Sequence, residues 1–118
     1  MEKRDLKERT KSFALKVIKA VEMLPKGKTA DILGNQLLRA GTSVGANYRA
    51  ACRAKSTADF IPKMGIVEEE ADETIYWMEL LIDSGLVRKD DLIPLLDEAN
   101  QILAITVSSI KTAKKGKK

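Results

Sequence analysis

Apolar residues recur every three or four positions in four successive stretches of this chain, the spacing that aligns them on one face of an α-helix. In the first stretch Leu6, Phe13, Val17, Ala20, Val21 and Leu24 share a face, and Pro25 with Gly27 ends the run. Leu33, Leu37, Ala40, Val44, Tyr48 and Ala51 form the second stripe. The third carries Phe60, Met64, Val67, Ala71, Ile75, Met78 and Ile82, closed by Gly85 as a C-terminal cap. Leu92, Leu95, Leu96, Ala99, Leu103, Thr106 and Ile110 make the fourth. No segment alternates with period two for long enough to propose a strand. Short connections near Lys26 and Val87 imply antiparallel neighbours, so the pattern predicts an all-α, antiparallel up-down-up-down four-helix bundle. It forms a single domain over residues 1–118, with 112–118 expected as a flexible basic tail.

Two helix starts share a signature, Asp59-Phe60-Ile61-Pro62 and Asp91-Leu92-Ile93-Pro94. An aspartate N-cap suits both, because proline in the first turn gives up an amide hydrogen that has no intrahelical partner there. For the third helix the alternative is a start at Ser56, with Ser56 and Asp59 as a capping-box variant and Pro62 bending the helix. Gly34, Gly41 and Gly45 fall inside the second helix, where each costs about 1 kcal/mol against alanine. Close packing against a neighbouring backbone is the favoured explanation, and a hinge at Gly41 is the other.

Ile66, Trp77 and Leu80 fall away from the third stripe and form a second apolar patch that a single bundle core does not use. Such a patch marks a contact surface between copies, with Glu70 and Glu73 beside it as partners for intersubunit ion pairs. The alternative is that Trp77 covers the edge of its own bundle. Ile93 and Ile105, off-stripe in the fourth helix, add to the case for oligomerisation.

Composition narrows the setting. At 118 residues the chain buries a core without disulfide or metal, and its one cysteine, Cys52, has no internal partner. A reducing, cytoplasmic location is expected, since the N-terminus is charged through Lys11 and no apolar run approaches the roughly 20 residues that span a bilayer. The 21 basic and 17 acidic residues leave only +4 overall, yet the antiparallel order sorts them by end. Fourteen bases, including Lys7, Arg9, Lys11, Arg49, Arg53, Lys55, Lys63, Lys114 and Lys115, gather at one end with four acids, leaving seven bases and 13 acids elsewhere. A basic end of this kind suits phosphate backbones, because each neutralised phosphate releases condensed counterions.

Arg39, Arg49 and Arg53 share one face of the second helix and are the candidate phosphate contacts, with Lys55, Lys114 and Lys115 adding steering. The bland alternative is a solvated face, or pairing with acids such as Glu68 or Asp72 of a neighbouring copy. Aromatic residues are too few for a base-stacking platform, so binding should follow the backbone with little sequence preference.

Catalytic constellations are missing from the sequence. A di-iron bundle needs Glu-x-x-His patterns, and the chain has no histidine. The run Glu68, Glu69, Glu70, Asp72 and Glu73 is spread around an exposed arc by helical spacing rather than gathered. Ser43 and Ser56 lack a base, and AGTSVG from Ala40 to Gly45 lacks the Gly-Lys-Ser/Thr ending of a phosphate loop. A non-enzyme with no cofactor and no metal site is expected.

The segments NQLLRAGTSVGANYRAACRAKS and MGIVEEEADETIYWMELLIDSGL carry a resemblance to the four-helix-bundle family encoded in intervening sequences of bacterial 23S rRNA genes, extending from about Arg9 to Ile110. Pro62 is a mild departure from the family pattern. Members are similar in fold to the accessory protein of diversity-generating retroelements, which works beside a reverse transcriptase. The resemblance implies a homopentamer around a central axis, and it transfers fold and assembly more safely than activity, since most members have no established biochemical function. The expected function is therefore a ring-like homo-oligomer that binds RNA or DNA through its basic end as an accessory to a nucleic-acid process such as reverse transcription. Its rivals are a scaffold for an acidic protein partner and a small-ligand bundle, which would need a cavity lined from the core stripes.

Overall fold

A computed structural model describes residues 3–116, with side chains from Leu6 onward. Four helices follow one another: α1 (Lys3–Glu22), α2 (Lys28–Cys52), α3 (Thr57–Asp83) and α4 (Lys89–Gly116). Among the described residues there is no strand. The helices form a rod of 51 × 20 × 20 Å in which α2 packs between α1 and α3, while α4 packs on α3 and more lightly on α1.

The predicted stripes meet in one core. Phe13, Val17, Leu37, Val44, Met64, Val67, Met78, Leu92 and Ala99 are buried in it. Leu81 and Ile102 are also fully buried, although the predicted stripes pass through Ile82 and Leu103 instead. Those two pack at the edge of the same core, so each stripe is one residue wider than predicted. Buried Thr10, Thr74 and Thr106 turn their hydroxyls back onto the carbonyls of Lys7, Glu70 and Ile102 at 3.1, 2.7 and 2.8 Å, which satisfies the polar group without a partner helix.

The α2 glycines answer to close packing. A Cβ on Gly41 would stand 2.8 Å from both Val17 methyls, and one on Gly45 would stand 3.2 Å from Thr10 Oγ1 and 3.3 Å from its carbonyl oxygen. Gly34 faces Leu24 and Val21 in the same way. Rising numbers on α2 thus meet falling numbers on α1, and the two helices run in opposite senses.

Both aspartate N-cap expectations need correction. Ser56 caps α3, its Oγ accepting from the Asp59 N–H at 3.1 Å, while the Asp59 carboxylate accepts from the Lys55 N–H at 3.1 Å. This is the capping-box variant, and it wins because it satisfies two amides that an Asp59 cap would leave outside the helix. Likewise α4 starts at Lys89, with the Asp91 N–H bonded to the Arg88 carbonyl at 3.0 Å, so Asp90 and Asp91 favour the helix dipole from inside the first turn. Pro62 and Pro94 consequently lie inside their helices. At the turns, Gly27 (φ 148°) and Gly85 (φ 82°) occupy conformations that side-chain-bearing residues rarely adopt.

The segment expected as a flexible tail is helical as far as Gly116, and Lys117 and Lys118 lie outside the described residues. Lysine is a good helix former, and Lys114 and Lys115 sit in the last turn, where positive charge meets the negative end of the dipole.

Candidate nucleic-acid interface

Charge sorting begins with the pairing of helices. The opposition of Gly45 to Thr10 carries the last turns of α2 alongside the first turns of α1, and a groove of about 500 Å³ opens there, lined by Lys7, Glu8, Lys11, Thr42, Ala46 and Arg49 among others. At the α2–α3 turn a second hollow of about 310 Å³ brings Cys52, Lys55, Ser56 and Phe60 against Ala113 of α4. Lys114 and Lys115 follow directly in the exposed final turn. Arg49, Arg53, Lys55, Lys114 and Lys115 therefore occupy one end of the rod, as the charge pattern predicted. The side chains of Lys3, Arg4, Lys117 and Lys118 lie outside the described residues.

Within that end the bases divide into two kinds. Arg9 reaches across to α4 and holds Glu98 with two bonds of 2.6 and 2.9 Å, adding Gln101 at 3.1 Å. Lys63 closes on Asp59 at 2.6 Å. That contact, with the Lys55 amide behind it, holds the Asp59 carboxyl below its ordinary range. By contrast Arg49 and Arg53 are exposed and make no ion pair among the described residues, and the same is true of Lys7, Lys11, Lys55, Lys114 and Lys115. Arg53 is the C-cap of α2, its backbone N–H turned to the carbonyls of Ala50 and Ala51.

Arg39 does not join this set. It lies near the middle of α2 and bonds Glu70 at 3.1 Å and also Glu73, both on α3, and these carboxylates, Glu73 foremost, raise its pKa further. The three residues that sequence reasoning divided between a phosphate site and an intersubunit contact are partners within one chain. Each of the three sits near the midpoint of its helix, which puts them within reach of one another without singling out the pairing.

The apolar patch is similarly divided. Trp77 packs against its own core, edge-on to Tyr76 with ring centroids 5.2 Å apart, and Leu80 is half-buried. Ile66 and Tyr76 remain exposed, at 43% and 52%. The Trp77 indole N–H is buried and meets no acceptor among the described residues.

Other chemistry finds little footing. Among the described residues no group of His, Cys, Asp and Glu could hold a metal ion. Cys52 is half-buried, and the buried Tyr48 hydroxyl beside it is pushed well above its ordinary pKa, by burial first and then by its hydrogen bond with the thiol. At the far end of the rod a cavity of about 440 Å³ is lined by Ala20, Leu37, Leu81 and Leu92, one from each helix, with Arg88 and Asp91 also in its wall. No described helix is long and apolar enough to cross a membrane.

Comparison with known proteins matches residues 2–108 to the family of 23S rRNA-intervening sequence proteins. A crystal structure from Bacteroides thetaiotaomicron, of a protein with unknown function from the S23 ribosomal protein family, superposes with a TM-score of 0.87 at 34% sequence identity. The alignment covers 94% of this chain and 99% of that one. No curated protein matches the chain.

Proposed function

Because the chain belongs to the family of 23S rRNA-intervening sequence proteins, we propose that it is a non-enzymatic, up-down-up-down bundle that assembles with its own copies into a ring and binds the backbone of RNA or DNA through its basic end. The observation that carries this reading is the division of bases there. Arg9 and Lys63 are neutralised by Glu98 and Asp59, while Arg49 and Arg53 face solvent without an ion-pair partner among the described residues, and the exposed Lys55 side chain makes no ion pair there either, only its backbone N–H bonding Asp59. Uncompensated arginines on a surface cost little in water, and they are the groups that gain most from meeting phosphate.

A pentamer is the favoured assembly, as the family resemblance implies, and exposed Ile66 and Tyr76 beside the buried Trp77 indole, whose N–H meets no acceptor among the described residues, support a contact face on α3. The resemblance to the accessory protein of diversity-generating retroelements extends the proposal to a reverse transcriptase or another nucleic-acid enzyme as partner, in the cytoplasm. Titration of labelled RNA and DNA at low and high salt tests the reading. Binding should weaken steeply with salt, and Arg49→Glu with Arg53→Glu should lower affinity by about tenfold or more at low salt across all sequences. Salt-independent binding, or none at low salt, contradicts it and favours an acidic protein partner.

A further inference from the structure

Resting on the nucleic-acid reading above, we infer that the groove between α1 and α2 is a track for one strand, holding successive backbone phosphates along the bundle axis on Lys7, Lys11 and Arg49. The three bases reach the groove from two helices, and Glu8 is the one acid in its lining among the described residues. Along α1 the bases alternate in fate: Arg9 turns to α4 and is neutralised by Glu98, whereas Lys7 and Lys11 border the groove and make no ion pair among the described residues. Lys7 and Lys11 stand one turn apart, about 6 Å along the axis, which matches the step between neighbouring phosphates on an extended strand. Arg49 faces them from α2 with a guanidinium able to hold a phosphate by two hydrogen bonds.

The floor fits this use. Gly45 and Ala46 place no bulk in the groove, and the close approach of Gly45 to Thr10 draws the two helices together so that bases from both reach the same strand. Axes of closely packed helices lie only about 8–10 Å apart, so the groove between them is narrow, on the scale of one strand rather than of a duplex. No aromatic residue lines the groove, so bases stay outside it and sequence goes unread.

Fluorescence anisotropy with labelled oligothymidylate and with a duplex of equal length tests the assignment. The parent protein should prefer the single strand. Lys11→Gln with Arg49→Gln should weaken it by about tenfold and flatten the log–log salt slope by about 1.4, at roughly 0.7 for each phosphate no longer neutralised. Lys114→Gln with Lys115→Gln removes the same charge from the end of α4, where these lysines steer from outside the groove, and should cost less than about threefold. Ala46→Phe fills the floor at an exposed position without altering charge, and should weaken the single strand while leaving the duplex unaffected. Equal losses in the two charge pairs, or a preference for duplex, overturn the track and leave binding to the basic end as a whole. Absence of any binding by the parent at low salt overturns the nucleic-acid reading with it.

Discussion

Helix α1 is held by two seams of opposite character. Towards α2 the contact is made by fit: Gly41 and Gly45 remove side chains so that Val17 and Thr10 sit directly on the neighbouring backbone. Towards α4 the contact is thinner and is fastened by the two-bond Arg9–Glu98 ion pair. A seam made by fit is indifferent to salt and intolerant of a methyl added where a rigid neighbour blocks it. One fastened by charge tolerates shape changes and responds to ionic strength. The same glycine approach that tightens the first seam sets the width of the basic groove, so packing and proposed binding share a cause.

The largest effect should come from Gly41→Ala. Its Cβ meets both Val17 methyls at 2.8 Å, and neither can move aside without rotating a buried β-branched side chain. Overpacking of about 1–3 kcal/mol exceeds the gain of about 1 kcal/mol in helix propensity, so thermal unfolding should occur several degrees lower. Val17→Ala in the same chain should recover part of that loss, giving a non-additive cycle. An additive cycle would break the claim that this seam is made by fit.

Glu98→Gln should come next, at about 0.5–1 kcal/mol, because both partners keep some exposure to water. Its cost should shrink as salt is raised in denaturant unfolding, whereas the Gly41→Ala cost should not. Gly34→Ala sharpens the contrast within the glycine seam. The atom it would meet at 2.8 Å is Leu24 Cδ1, the free end of a flexible, half-buried side chain, so the propensity gain survives and the variant should be more stable by up to about 1 kcal/mol.

Asp59→Asn should give the smallest effect, since the carboxylate is well hydrated. Its pKa is held below the unfolded value by Lys63 and the Lys55 amide, so its contribution is present above about pH 4 and fades as pH falls through the folded pKa. The difference between parent and variant should therefore vanish on acidification. A difference that grew there would reverse the sign assigned to Asp59.

Hydrophobic spacing made the helices legible because burial has the same period as the backbone. Phe13, Leu37, Met64 and Leu92 are core residues as predicted. Helix starts were less legible, since Ser56 and Asp59 both carry good capping groups and only the three-dimensional turn decides which amide each one meets. Close packing at the α2 glycines is legible from their helical positions, but their partners Val17 and Thr10 depend on the register of two helices. Of the proposed site, the clustering of Arg49, Arg53 and Lys55 at one end followed from charge and topology. The removal of Arg39 by Glu70 and Glu73, and of Arg9 by Glu98, did not, because long side chains choose partners across helices that spacing along one helix cannot rank. Lys7 and Lys11 stood among the basic residues of that end, yet nothing in the sequence set them above their neighbours.

Light-scattering mass of the purified protein, with and without single-stranded nucleic acid at low and at high salt, tests the central claim most directly. The expected result is a multiple of the chain mass consistent with a ring, which gains nucleic acid at low salt and loses it at high salt. A particle that gains none at low salt would contradict it.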